Sequence, residues 1–231
     1  MKPNVTLAET KTPNGARMTL VEHDGSFCIR VNGQQLMHSA VTTSEVELGS
    51  LGCERLDRKK PARVLIGGLG LGFTLKSVLE NIARDAVVHV AELFPEIVVW
   101  NRTHLLPLNG GLLSDPRVTV IEEDVRAVIR RAGRAPYDAI LLDIDNGTTA
   151  MVSDANNALY SSAGIKQIAA ALRAGGRAAV WSASPDAPLA GRLHQAGLKV
   201  QPVASRVHAT ARRSAYVIYV ADKAGRGAQS R

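Results

Sequence analysis

The stretch Val64-Leu65-Ile66-Gly67-Gly68-Leu69-Gly70-Leu71-Gly72 decides how this chain folds. A short apolar run passes into four glycines within six residues, and Leu75, Val78, Leu79 and Ile82 then recur at the spacing of one helix face. A strand that turns through glycines into a helix brings bare backbone close to a ligand and aims unpaired helix N–H groups at it. Gly67, Gly68, Gly70 and Gly72 are the expected cradle. Glu92 stands 20 residues beyond Gly72, after the next apolar run, Val87–Ala91. A carboxylate there can accept both hydroxyls of a ribose. Loop and acid together read as a nucleoside site.

From Arg63 onward, strands and helices alternate. The strand candidates are Val64–Ile66, Val87–Ala91, Val118–Ile121, Ala139–Asp143, Arg177–Trp181, Leu198–Val203 and Ala215–Val220. Helical patterns lie between them, such as Val125, Val128, Ile129 and Ala132, or Ile165, Ile168, Ala169 and Leu172. Pro95 sits where a first helical turn begins, and Gly175-Gly176 is the expected stop of the helix before the fifth strand. This alternation predicts a doubly wound α/β fold, a mostly parallel sheet covered on both faces.

Only Ala204–Ser214 separates the last two strands, and that segment has no apolar helical face. A parallel crossover needs a dozen or more residues and usually a helix. The seventh strand is therefore expected to return antiparallel, the mark of the Rossmann-like, methyltransferase-type sheet. The glycine spacing agrees, because Gly68-x-Gly70-x-Gly72 is GxGxG rather than the dinucleotide GxGxxG. S-adenosylmethionine and its relatives carry no pyrophosphate to cradle. The expected ligand is a sulfonium nucleoside.

Residues 1–60 read differently, as a small domain of their own. Met18–Glu22 and Ser26–Val31 alternate around His23-Asp24-Gly25, and Asn32-Gly33 offers a second tight turn, which predicts an antiparallel β meander. Thr42-Thr43-Ser44-Glu45 supplies a helix start with an acid in its first turn. Asp57-Arg58-Lys59-Lys60-Pro61 is the expected boundary. Residues 61–222 then form the nucleoside-binding domain, and 223–231 a disordered polar tail. Exposed edges of the meander would suit a homodimer.

The 231 residues, 45% of them hydrophobic, suffice for one large α/β domain with a small addition. No apolar stretch approaches the ~20 residues of a membrane span, and Met1–Thr6 lacks the apolar core of a secretory signal. Cys28 and Cys53 form no framework. A reducing cytoplasm is the expected location. The net charge of +7 invites a nucleic-acid partner. The basic residues, among them Arg126, Arg130, Arg131 and Arg134, share no RNA-binding signature, and aromatics at 4% leave few stacking platforms. A solvated basic surface is the favoured reading, with a non-catalytic nucleoside- or nucleic-acid-binding module as an alternative.

Asp124 follows the third strand, where it either caps the next helix or holds the exocyclic amine of an adenine. Asp143 and Asp145 close the fourth strand. The two-residue period puts both carboxylates on one face at the carboxyl edge, where open α/β sheets bind ligands. An acid ending the apolar run Ala139–Leu142 is costly to bury without a partner, which favours a functional role; the competing reading is that Asp143 and Asp145 cap the turn amides of Asn146-Gly147. A carboxylate there could take the proton of an amine before it displaces a sulfonium in line. The six histidines are scattered and pair with nothing at ligand spacing, so no metal is expected.

The chain resembles the spermidine synthase family, the polyamine aminopropyltransferases. The resemblance rests on Asn32-Gly33-Gln34-Gln35-Leu36, the glycine loop, Glu92, Asp115-Pro116-Arg117-Val118, Asp124, Tyr137–Asp143, Leu159-Tyr160 and Leu172–Gly176. It implies decarboxylated S-adenosylmethionine as donor and a small amine as acceptor. It assigns Glu92 to the ribose, Asp124 with Val125 to the adenine, Asp143 and Asp145 to catalysis, and Gln35 and Tyr160 to the substrate. The chain departs from the family at the loop, where Leu71 stands nearest to the aspartate that grips the aminopropyl amine. It also has Asp143 and Asp145 two apart rather than three. A donor of S-adenosylmethionine itself, and hence a methyltransferase, is the alternative. A chain of net charge +7 lacking two of the family's acids is expected to trap a polycation poorly.

Overall fold

The computed structural model describes residues 3–12, 14–144, 156–206 and 214–225. Four strands, β1 (Val5–Lys11), β2 (Arg17–His23), β3 (Ser26–Val31) and β4 (Gln34–His38), form an antiparallel meander in sequential order. Its two tight turns are set by backbone chirality. Asp24 and Gly25, then Asn32 and Gly33, all take positive φ, the geometry that matches the twist of a two-residue hairpin. The meander buries Met18, Leu20 and Ile29 against the rest of the protein. Strand β1, on the edge and half exposed, was not expected from its sequence.

Helix α1 (Thr43–Cys53) follows. Thr42 occupies its cap position without a side-chain bond, while Ser44 donates instead to Glu45 Oε2 at 2.6 Å. Two glycines let α1 lie close on its neighbours. A Cβ at Gly49 would meet Ser77 at 2.5 Å, and one at Gly52 would meet Leu141 at 2.6 Å.

The main unit then alternates as expected: β5 (Arg63–Gly67), α2 (Phe73–Asn81), β6 (Val87–Ala91), α3 (Pro95–Arg102), α4 (Leu106–Asn109), β7 (Val118–Ile121), α5 (Val125–Arg131) and β8 (Tyr137–Leu142). After it come α6 (Asn156–Leu159), α7 (Ser162–Ala171), β9 (Leu172–Ser182), α8 (Ala187–Gln195), β10 (Leu198–Arg206) and β11 (Ser214–Lys223). The seven strands lie in the order β10-β11-β9-β8-β5-β6-β7. All described pairings among β5 to β9 are parallel, and β11 runs antiparallel between β9 and β10. The last strand returns as its short connection requires.

Alternate side chains of each strand feed two cores. Val64, Ile66 and Leu141 join α1, α2 and α3 on one face, while Leu65, Ile140 and Leu142 join α5, α7 and α8 on the other. Strands buried on both sides must be apolar throughout, which is why β5 and β8 read as continuous apolar runs.

Helix α7 stops at Ala171, four residues before the Gly175-Gly176 expected to end it. Leu172 turns extended to pair with Tyr137, and Lys223 Nζ donates to the carbonyls of Ala169 and Leu172 at 2.6 and 2.7 Å. A cation on those last carbonyls terminates the helix without glycine. The same lysine pairs with Leu198 as the final residue of β11, so the sheet reaches the first residue of the expected tail. No helix among the described residues is long and apolar enough to cross a membrane.

Candidate active site

The strand order lays chemistry along the carboxyl edge of the sheet. From one side to the other come Asp124 after β7, Glu92 after β6, Gly68 and Gly70 after β5, Asp143 after β8, Trp181 at the end of β9 and Tyr216 at the start of β11. All of them line one crevice of about 300 Å³, at the small end of ligand pockets. The meander roofs it with Gln35 and Met37 of β4, and α1 contributes Ser44 and Glu45.

Glycine is required where the backbone crowds. Gly68 has φ +89°, and a Cβ there would lie 2.4 Å from the carbonyl oxygen of Asp143. Gly70, at φ +51°, faces the sulfur of Met37, which a Cβ would approach to 2.6 Å. Gly67 and Gly72 stand behind this surface. The Gly67 carbonyl accepts from Asp143 N at 2.9 Å, and Gly72 is the left-handed residue that starts α2. The loop is pinned from behind by a buried amide chain. Asn109 donates to Asn101 at 2.8 Å, and Asn101 donates to the Gly70 carbonyl at 2.8 Å. Leu69 and Leu71 both point into the core, so the loop carries no side chain toward the crevice at the position compared with the family's aspartate.

Glu92 is buried, and its two oxygens accept from the backbone N–H groups of Leu69 and Phe94 at 2.8 and 2.9 Å. Burial pushes its carboxyl above the usual range, while those N–H groups pull the other way. The N–H groups of Leu93 and Gly70 also act on this carboxyl, which lines the crevice beside the glycine loop. Asp124 caps α5 and also lines the crevice. One oxygen accepts from Arg126 N at 2.8 Å, and the Arg126 guanidinium covers both oxygens, down to 2.6 Å. Although burial opposes it, this guanidinium and N–H hold Asp124 below the ordinary carboxylate range. Val125 lines the crevice beside it.

Asp143 is half-buried, and its Oδ2 accepts from the Thr74 hydroxyl at 2.7 Å. Burial, followed by the charge of Glu45, raises its carboxyl to about 7, against the pull of Thr74. Burial likewise raises Glu45. Asp145 lies outside the described residues. Tyr160 is buried, with its hydroxyl donating to the Ile144 carbonyl at 3.3 Å, and Leu159 rather than Tyr160 lines the crevice. Among the described residues no group of three or more His, Cys, Asp or Glu is placed to hold a metal.

Glu45, Thr74, Trp181 and Tyr216 carried no functional signal in the sequence. Glu45 reads there only as a first-turn acid, and no local pattern ties it to the end of β8. The charge balance also inverts. A chain of net charge +7 builds a crevice lined by the acids Glu45, Glu92, Asp124 and Asp143, with Arg126 as the one guanidinium among the described residues that line it. The basic helix α5 is partly neutralised as well, through Arg126 with Asp124 and Arg131 with Glu123.

Fold and crevice define a Rossmann-like protein of the methyltransferase type. No family model matches the chain. A polyamine aminopropyltransferase of Corynebacterium efficiens is 37% identical over 123 residues, 52% of this chain and 22% of that protein. Polyamine aminopropyltransferase 2 of Pseudomonas aeruginosa is 34% identical over 141 residues, 58% of this chain and 38% of its own length. A putrescine N-methyltransferase of Nicotiana tabacum is 35% identical over 85 residues, 36% of this chain and 21% of its own. The crystal structure of spermidine synthase from Thermotoga maritima superposes with a TM-score of 0.70 at 16% identity, covering 94% of this chain and 72% of that one. Over about half its length the chain is similar in sequence to polyamine aminopropyltransferases, and its fold is that of spermidine synthase. The match spans well under half the length of the aminopropyltransferases it resembles.

Proposed function

We propose that this chain transfers an alkyl group from a sulfonium nucleoside to a small amine, with Asp143 as the base. The observation that carries the reading is the acidic crevice in a basic protein, with Asp143 poised near neutrality at its middle. Both reactants are cationic, so a negative site concentrates them and favours their charged forms. Glu92 binds the ribose, Gly68 and Gly70 let the nucleoside lie against bare backbone, and Asp124 with Val125 borders the base. Gln35 touches the acceptor from the meander.

A sulfonium donor supplies an electrophilic carbon and leaves as a neutral thioether. Asp143 takes one proton from the ammonium form of the acceptor, which frees the nitrogen lone pair to form the new C–N bond. The C–S electron pair returns to sulfur. A base near the working pH suits this transfer, because it is ionised yet still proton-seeking.

Decarboxylated S-adenosylmethionine is the donor the family resemblance favours. One observation favours S-adenosylmethionine instead: Met37, not an acid, packs over Gly70. The relatives include a putrescine N-methyltransferase. Incubation with each donor and a panel of amines tests both readings. Release of methylthioadenosine supports aminopropyl transfer, release of S-adenosylhomocysteine supports methyl transfer, and release of neither removes the enzymatic reading.

A further inference from the structure

Helix α1 walls the crevice with Ser44 and Glu45 of its first turn, yet little in its own sequence holds it as a helix. Two of its 11 residues are glycines, the poorest helix formers after proline. Thr42 makes no side-chain cap, and no basic residue of the helix itself faces the carbonyls of its last turn. Its near end is tied to α2, where the Thr74 and Ser77 hydroxyls reach the carbonyls of Glu45 and Val46 at 3.3 and 2.7 Å. The cation for its far end comes from the sheet. Arg177 of β9 is 7% exposed, and its Nη1 donates to the Leu51 carbonyl at 2.8 Å and to Glu54 Oε2 at 2.7 Å. Its Nε and Nη2 donate to the two oxygens of Asp222 on β11 at 2.7 and 3.0 Å. Burial works against the guanidinium charge, and Asp222 and Glu54 outweigh it. Asp222 in turn meets Arg55 at 3.2 Å. One planar fork therefore fastens the last turn of α1 to two strands.

Glu54 lies nine positions after Glu45, about 13 Å along a helix. Arg177 lies four positions before Trp181, about 13 Å along a strand. Glu45 and Trp181 both line the crevice, so helix and strand join the same two places, with the guanidinium at the far one. We infer that Arg177 is a positioning residue for the crevice: by holding the last turn of α1 on the sheet, it keeps the first turn, with Glu45, beside Asp143. The inference deepens the proposed transfer reaction and rests on Asp143 as its base. A clamp that served stability alone would weaken the whole protein evenly. A positioning clamp changes α1 and Asp143 more than it changes α2.

The test compares the full chain with Arg177→Lys and Glu54→Ala. Lysine keeps a charge for Asp222 but lacks the fork that also reaches α1. The Glu54 side chain is 64% exposed, so its removal strands no buried acid. Amide hydrogen exchange at Leu48–Ser50 of α1 should be at least about tenfold faster in Arg177→Lys, and faster by less in Glu54→Ala, with a smaller change at Val78 and Leu79 of α2. The carbon-13 resonance of the Asp143 carboxyl should titrate about one pH unit lower in Arg177→Lys, because Glu45 moves off and water reaches the acid. Among the described residues, the other titratable groups lining the crevice are His38, Glu92, Asp124, Arg126 and Tyr216, and all three proteins share them. An Asp143 titration that neither variant moves, or exchange that rises equally in α1 and α2, overturns the inference. Should Arg177→Lys not fold, Glu54→Ala decides by the same two readings. An Asp143 that titrates as an ordinary carboxylate in the unmodified protein removes the base near neutrality, while exchange in α1 still decides the role of Arg177.

Discussion

The hydroxyl of Thr74 stands 2.7 Å from Oδ2 of Asp143, and the same hydroxyl lies 3.3 Å from the backbone carbonyl oxygen of Glu45. A hydroxyl has one proton, so it donates to one acceptor at a time. Donation to Asp143 stabilises the carboxylate, while burial and the Glu45 charge favour the acid. The balance leaves Asp143 near 7.

That balance fixes a pH dependence. The proposed base works only when ionised, so kcat/KM is expected to fall as pH drops through about 7. Glu45→Gln removes a neighbouring negative charge and moves this acid limb downward. Thr74→Val removes the bond that favours the carboxylate and moves it upward. pH–rate profiles of the three proteins check the signs, and a limb that neither change moves belongs to another group.

Asp143→Asn should lower transfer by at least about a hundredfold, as loss of a general base does, while nucleoside binding persists. It should also stabilise the protein at alkaline pH. The folded carboxyl titrates above its unfolded value, so its contribution is present at low pH and lost as pH rises through the folded pKa. The asparagine variant escapes that loss. Its melting temperature relative to the native chain should be higher at about pH 9 than at about pH 4, and a constant difference would contradict the assignment.

The two crevice glycines should differ in what they tolerate. Gly68→Ala sets a methyl against the fixed carbonyl oxygen of Asp143, whereas Gly70→Ala meets the movable end of Met37. Both pay the left-handed backbone cost of about 1 kcal/mol, and the first adds a clash worth ~1–3 kcal/mol. Chemical denaturation should rank Gly68→Ala as the more damaging. Met37→Ala should recover part of the Gly70→Ala loss and none of the other.

Arg126 covers both oxygens of Asp124 and places a cation among the acids of the crevice. Arg126→Ala keeps the cap, because the bond to Asp124 is made by the backbone N–H of residue 126. Affinity for a sulfonium nucleoside should therefore rise about two- to fivefold, with a smaller gain for neutral methylthioadenosine. Titration calorimetry with the two ligands reads the difference. A loss of affinity for both would make Arg126 part of the binding surface instead.

Most of the architecture was legible because its signals are local. The apolar runs of β5 and β8, the glycines after Ile66 and the short link before β11 each follow from burial, left-handed φ or connection length. Strand β1 was missed because VTLAETK, half exposed on an edge, has little alternation to read. The end of α7 was misplaced because its terminator, Lys223, comes 52 residues after Ala171 and reaches it only through the sheet.

The candidate site divides along the same line. That Glu92 and Asp143 line the crevice could be read from the sequence, since each follows a buried apolar strand whose carboxyl end faces it. Glu45 could not, because its meaning depends on α1 lying across β8 through Gly52 and against α2 through Gly49. Asp124 was readable as an acid at a helix start, but not as one already held by Arg126.

By itself, the order of residues determined the alternation of elements, the left-handed loop and the acids at strand ends, because each depends on neighbours a few positions apart. Only the folded sheet decided that a basic chain gathers its carboxylates into one crevice and sets Trp181 and Tyr216 across Asp143 from Glu92 and the glycine loop. Charge and contact in the crevice depend on which strands lie side by side, and that order, β11-β9-β8-β5-β6-β7, is not the order of the chain.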